Sequence, residues 1–201
     1  MGKEKLKKIV RQAFELLMFK ILEGSLEINN EISLQLHFGV ILQQLGKMYE
    51  FSRDDRFIIL LETKKEITPT SKTPNKKARC DIELQFYHKN KLESKAYIEI
   101  KLFKGGPNET VTENRFSVMC DIENLEHYKD DGKSLCYLLV VTDNINHTIN
   151  KANLNLCIGN GAIARGRIRQ NGKEVLLSGN YTFKWESCNK KDKYYFLLID
   201  V

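Results

Sequence analysis

The stretches Arg79-Cys80-Asp81-Ile82-Glu83-Leu84-Gln85-Phe86-Tyr87 and Lys95-Ala96-Tyr97-Ile98-Glu99-Ile100-Lys101-Leu102-Phe103, separated by His88-Lys89-Asn90-Lys91-Leu92-Glu93-Ser94, alternate polar and apolar residues. A period of two is that of a β-strand, whose successive side chains point to opposite faces. Two such runs joined by a short polar connection predict an antiparallel hairpin. Ile82, Leu84 and Phe86 must share a core with Ile98, Ile100 and Leu102, which puts Asp81, Glu83, Gln85 and Tyr87 on the face of Tyr97, Glu99 and Lys101. In the two registers that keep this parity with a turn near Asn90 or Lys91, Asp81 lies opposite Glu99 or Lys101.

Working outward, Leu6, Ile9, Val10, Ala13, Leu16, Leu17 and Ile21 recur at helical spacing between Lys3 and Leu22, predicting an amphipathic helix. After Glu23-Gly24-Ser25 a second helix is expected from about Asn30 to Glu50, with Ile32, Leu36 and Val40 along one face and Gln43 and Lys47 on related faces. Phe57 to Leu61 has strand length, and Glu62 to Arg79, polar and with two prolines, reads as a loop. Gly105-Gly106-Pro107-Asn108 ends the second hairpin strand, and Val111 to Tyr128 reads as a helix. Leu135 to Val141 is apolar without alternation, as in a strand covered on both faces. The expectation is a single α/β domain: N-terminal helices over 1–50, a core over 51–143 with a mixed sheet flanked by helices, and a β-rich addition over 144–201.

The charged face of the hairpin carries the chemistry. Carboxylates crowded on one patch repel one another unless a cation sits among them, and Lys101 alone does not balance the group. Oxygen-only donors suit a hard divalent ion, Mg²⁺ with Mn²⁺ as substitute. Held by Asp81 and Glu99, with Glu83 as a further ligand on the same face, such an ion would polarise a phosphodiester while Lys101 orients the attacking water or offsets transition-state charge. A Glu-x-Lys triplet arises by chance roughly once in a chain of this length. Its weight comes from company: an acidic strand, a hairpin-length connection, an apolar strand around it and matching parity.

On these residues, Arg79 to Leu84 and Tyr97 to Lys101, the sequence resembles the PD-(D/E)xK phosphodiesterase superfamily, over roughly the middle half of the chain. The resemblance implies a restriction-endonuclease-like core, with Asp81 and Glu99 as metal ligands and Lys101 as the catalytic lysine. It also implies a helical glutamate, Glu31, at the site, with Gln35 one turn later on the same face. Cys80 stands where the motif's name expects proline. A type II restriction enzyme, cutting double-stranded DNA as a homodimer with Mg²⁺, is the function so implied. A structure-selective or repair nuclease, a ribonuclease, or an inert nucleic-acid binder on the same fold are the alternatives.

The rest of the 201-residue chain agrees with an anionic partner: net charge +6 and a pI near 9.0. Lys64, Lys65, Lys72, Lys76, Lys77 and Arg79 face a single acid, Glu66, in the segment entering the first hairpin strand, a composition suited to phosphate contacts. Arg165, Arg167 and Arg169 alternate in strand fashion and would share a face toward a DNA groove. Five widely spaced cysteines without a CxxC pair suggest reduced thiols, His37, His88, His127 and His147 are scattered, and no phosphate-binding glycine loop calls for a nucleotide cofactor. The charge-interrupted N-terminus predicts neither signal peptide nor membrane span, so the cytoplasm is the expected compartment.

Overall fold

The computed structural model describes residues 2–67, 70, 77–106, 110–129, 134–150, 156–186 and 193–201. Two helices, α1 (Gly2–Leu22) and α2 (Glu31–Met48), precede three antiparallel strands, β1 (Asp55–Glu66), β2 (Lys77–His88) and β3 (Lys91–Phe103). Helix α3 (Val111–Tyr128) then crosses to β4 (Ser134–Thr142), which runs parallel to β3. A short 3-10 turn, a hairpin of β5 (Ile163–Gln170) and β6 (Lys173–Thr182), the two-residue β7 (Trp185–Glu186), and β8 (Tyr195–Asp200) complete the order. The central sheet is six-stranded and mixed, β1-β2-β3-β4-β8-β7, and β5-β6 forms a separate ribbon. This is the α/β class expected, with a mixed sheet flanked by helices.

Sheet alternation divides the interior into two cores. Ile82, Leu84, Phe86, Ile98 and Ile100 pack with Phe14, Leu17, Phe38 and Leu42 of α1 and α2. Tyr97, Cys136, Leu138 and Val140 pack with Val118, Ile122 and Leu125 of α3 and with Ile168, Val175 and Leu177 of the ribbon. Every residue of β4 is buried, which explains its unbroken apolar run. Helix α3 also grips the ribbon by hydrogen bonds: Glu123 accepts from Leu176 N, and Glu126 accepts from Ser178 N, Gly179 N and the Tyr181 hydroxyl. Burial opposes ionisation of Glu126, but these donors prevail and hold its carboxyl below the usual range.

The fold departs from the sequence expectations in five places. The hairpin strands run to His88 and Lys91 around a two-residue turn, Lys89-Asn90, with φ of 49° and 59°, in place of a seven-residue connection. Left-handed values at both central residues match a strand-twist-compatible turn that asparagine tolerates. The expected loop from Glu62 is instead paired strand, Thr63 to Glu66 against Lys77 to Cys80. On α2 the expected stripe is outside, with Ile32, Leu36 and Val40 exposed at 74%, 56% and 48%, while Leu34, Phe38, Ile41 and Leu42 are buried. That helix carries apolar residues on two faces, so tertiary packing selects between them. On α1, Phe14 is buried and Leu16 half-exposed. Within 144–201, only the β5-β6 ribbon stands apart, because β8 pairs with β4 inside the central sheet.

Gly46 shows how tightly α2 is seated. A Cβ there would overlap the ring of Phe57, itself buried in β1. Gly46→Ala gains about 1 kcal/mol of helix propensity, yet overpacking a filled core costs about 1–3 kcal/mol. The expected result is a net loss of up to about 2 kcal/mol, read as a lower urea midpoint at unchanged slope. An equal or higher midpoint would show that Phe57 yields freely.

Candidate active site

Asparagine at the N-cap sets the first component. Asn30 accepts from Ser33 N at 2.8 Å and Ser33 Oγ accepts from Asn30 N at 3.1 Å, a reciprocal cap that fixes the start of α2. Glu31 is therefore in the first helical turn, where the helix dipole favours a carboxylate. It reaches across to β3: its Oε2 accepts from Leu102 N at 3.2 Å, and its Oε1 lies 3.5 Å from Lys101 Nζ.

The second component is a break in the sheet. The β2-β3 ladder starts at Ile82↔Ile98, and its register would set Asp81 opposite Glu99, one of the two expected arrangements. That pair is not made. Asp81 instead turns its side chain into the gap, where Oδ2 accepts from Ile100 N at 2.7 Å. On the other side, β1 pairs Leu61↔Ile82 and Thr63↔Cys80 but skips Glu62, whose φ is 53°. Gln35 of α2 fills the irregularity, donating to Asp81 O at 2.7 Å and to Glu62 Oε1 at 3.2 Å. Residues two apart consequently face opposite cores, Cys80 toward α3 and Ile82 toward α1 and α2. Strict alternation, which placed Asp81 on the face of Glu83, fails here, and the register shifts again between Phe86 and Tyr87.

The third component is the end of β3. Lys101, 15% exposed, sends its ammonium between Glu31 and Asp121 of α3, whose Oδ2 is 3.4 Å away, and donates to Ile100 O at 3.2 Å. Glu99 is buried and its Oε1 accepts from the Tyr128 hydroxyl at 3.2 Å. Burial and the Glu99 charge push the Tyr128 phenol up, keeping it a donor. Burial, then the charges of Glu99 and Asp81, push the Cys80 thiol well up, so it stays protonated and inert. Burial pushes the Asp81 carboxyl up to about 6; the Ile100 bond and Lys101 oppose the rise, and the charges of Glu31 and Asp121 add to it.

No protein-family model matches this chain, and neither a curated protein nor a solved structure matches it.

Asp81, Lys101 and Glu31 meet where β2 leaves β3, while Glu99 is buried against Tyr128. Glu83 is elsewhere, 2.7 Å from Lys65 Nζ and accepting from Gln85 Nε2 at 2.7 Å. Asp121, fully buried on α3, is the member that sequence reasoning missed. Its helix is buried over most of its surface, so no amphipathic pattern marked the residue as inward. Among the described residues no three His, Cys, Asp or Glu side chains form a ready metal cage. The donors nevertheless suit Mg²⁺, which dehydrates reluctantly and is commonly held by one or two carboxylates with water and substrate phosphate. Burial is the main cause of the raised Asp81 carboxyl, and the charges of Glu31 and Asp121 add to it.

Of the basic residues, Lys77 and Arg79 lie on the exposed start of β2, with Arg79 Nη1 3.4 Å from Glu62 Oε2. Lys72 and Lys76 lie outside the described residues. Arg165, Arg167 and Arg169 are exposed on β5 and line a cavity of about 420 Å³. Glu174 pairs with Arg167 at 3.2 Å and Arg169 at 2.6 Å. Cys80, Cys120 and Cys136 are buried, and Cys157 is partly exposed. No helix among the described residues is long and apolar enough to cross a membrane.

Proposed function

We propose that this chain is a Mg²⁺-dependent endodeoxyribonuclease of the PD-(D/E)xK kind, acting on double-stranded DNA as type II restriction enzymes do. The observation that carries the reading is the break at Asp81. A hairpin that could have continued its ladder gives it up, and the freed space gathers Asp81, Glu31 and Lys101 from separate elements.

A divalent ion held by Asp81 and Glu99 would supply Lewis-acid polarisation of a phosphoryl oxygen. The chain's own groups do the rest. Lys101, fixed at its carboxylate partners, orients the water that attacks phosphorus and offsets charge on the transition state. Glu31 ties α2 to the end of β3. Glu83, committed to Lys65 and Gln85, is left out of the ligand set. Exposed Lys77, Arg79, Arg165, Arg167 and Arg169 supply phosphate contacts, with Arg167 and Arg169 exchanging Glu174 for DNA. Cutting both strands requires two such sites, hence a homodimer.

Purified protein incubated with supercoiled plasmid and long genomic DNA, with Mg²⁺ or with chelator, tests the reading. Discrete Mg²⁺-dependent fragments are expected. Smearing or nicking would replace sequence specificity with a structure-selective or repair role. No cleavage of DNA or RNA with Mg²⁺ or Mn²⁺, alongside salt-sensitive binding, would sink the nuclease and leave an inert binder.

A further inference from the structure

The Lys101 ammonium stands between two carboxylates of different character. Glu31 is 45% exposed, on the first turn of a helix, where water screens its charge. Asp121 is 0% exposed, in the middle of α3, on a backbone fixed by packing from Phe116 to Tyr128. Separations are alike, 3.5 and 3.4 Å, but an ion pair strengthens as the local dielectric falls, and an uncompensated buried charge is costly. The two partners therefore differ in grip: the buried one holds, and the exposed one gives.

Resting on the nuclease reading, we propose that Asp121 is the positioning residue that fixes the Lys101 ammonium at the end of β3, beside Asp81. It acts through the lysine and does not contact the reacting phosphate. Lys101 has a four-carbon flexible stem that many rotamers would satisfy. Holding it from below by α3 leaves its outer side, toward Glu31, for water and substrate. The arrangement also explains an otherwise unfavourable choice, a carboxylate at a fully buried helix position among Cys120, Ile122 and Leu125. The charge of Asp121 is felt at Asp81, whose carboxyl it helps to raise, so the three groups form one electrostatic unit.

Asp121→Asn keeps the shape and removes the charge. The expected kinetic result is a kcat on DNA lowered about 10–100-fold, the scale of a misplaced catalytic group, with KM within about twofold and melting temperature unchanged or raised. A second readout needs no turnover: nitrogen-15 NMR of lysine side chains in the full chain. Lys101 Nζ, held and shielded from exchange, should give its own ammonium signal. That signal should vanish in Asp121→Asn and persist in Glu31→Gln. Asp121→Ser, smaller and uncharged, gives the same readouts should the amide not be accommodated. A persisting signal with unchanged kcat and only a lower melting temperature would make Asp121 merely structural and overturn the proposal. Should wild type fail to cut any nucleic acid, the nuclease reading falls, while the NMR comparison still decides whether Asp121 holds Lys101.

Discussion

Lys101→Ala should lower Mg²⁺-dependent DNA cleavage by about 10²–10³-fold, the usual loss when one preorganised charge-stabilising group is removed from a reaction centre. DNA affinity should stay within a few-fold, because the exposed residues that would meet phosphates, Lys77 and Arg79 on β2 and Arg165, Arg167 and Arg169 on β5, are all retained. Single-turnover rates measured beside binding isotherms separate the two effects. The variant should also be less stable, by about 1–3 kcal/mol, since Asp121 loses a cation 3.4 Å away inside the protein. Rates should therefore be taken well below its melting temperature. Loss of binding in proportion to loss of rate would make Lys101 a phosphate contact, and undiminished cleavage would move the chemistry elsewhere.

Much of this site was legible because strand alternation is a strong constraint. The apolar parity of Ile82, Leu84 and Phe86 against Ile98 and Ile100 fixes the hairpin register to within two choices, and one of them is observed. Alternation carries no notice of its own interruption. Nothing between Cys80 and Ile82 marks the residue at which the chain reverses faces, because the cause lies in distant groups: Gln35 takes the Asp81 carbonyl and Ile100 N takes the carboxylate. The pairing of Glu83 with Lys65 was hidden similarly. It needs β1 to extend through a polar segment that composition alone marks as loop. Composition reports which residues tolerate water; a ladder partner can hold the same residues in a strand. Asp121 illustrates a third failure, since a helix covered on most sides gives a charged residue no periodic signature.

Asp81→Asn should stabilise the protein at neutral pH and leave it unchanged in acid. The Asp81 carboxyl sits near 6 in the folded chain, above the ordinary 3.8, so burial penalises its ionised form. Between these values the folded state keeps a proton that the unfolded chain has lost, and linkage makes stability fall as pH rises. The contribution is complete below about pH 4 and gone above about pH 6. A shift of this size corresponds to about 2–3 kcal/mol. Asparagine can accept from Ile100 N as the protonated acid does, and it carries no charge to bury. Wild-type and variant unfolding free energies should therefore coincide near pH 4 and separate by about 2–3 kcal/mol at pH 7.5. An equal gap at both pH values would trace the effect to packing instead of charge. Millimolar Mg²⁺ at pH 7.5 should narrow the gap by stabilising wild type alone, since an ion that binds only the folded state raises its stability by mass action. Equal responses of the two proteins to Mg²⁺ would remove Asp81 from the ligand set while leaving its buried charge, and the pH dependence that follows from it, intact.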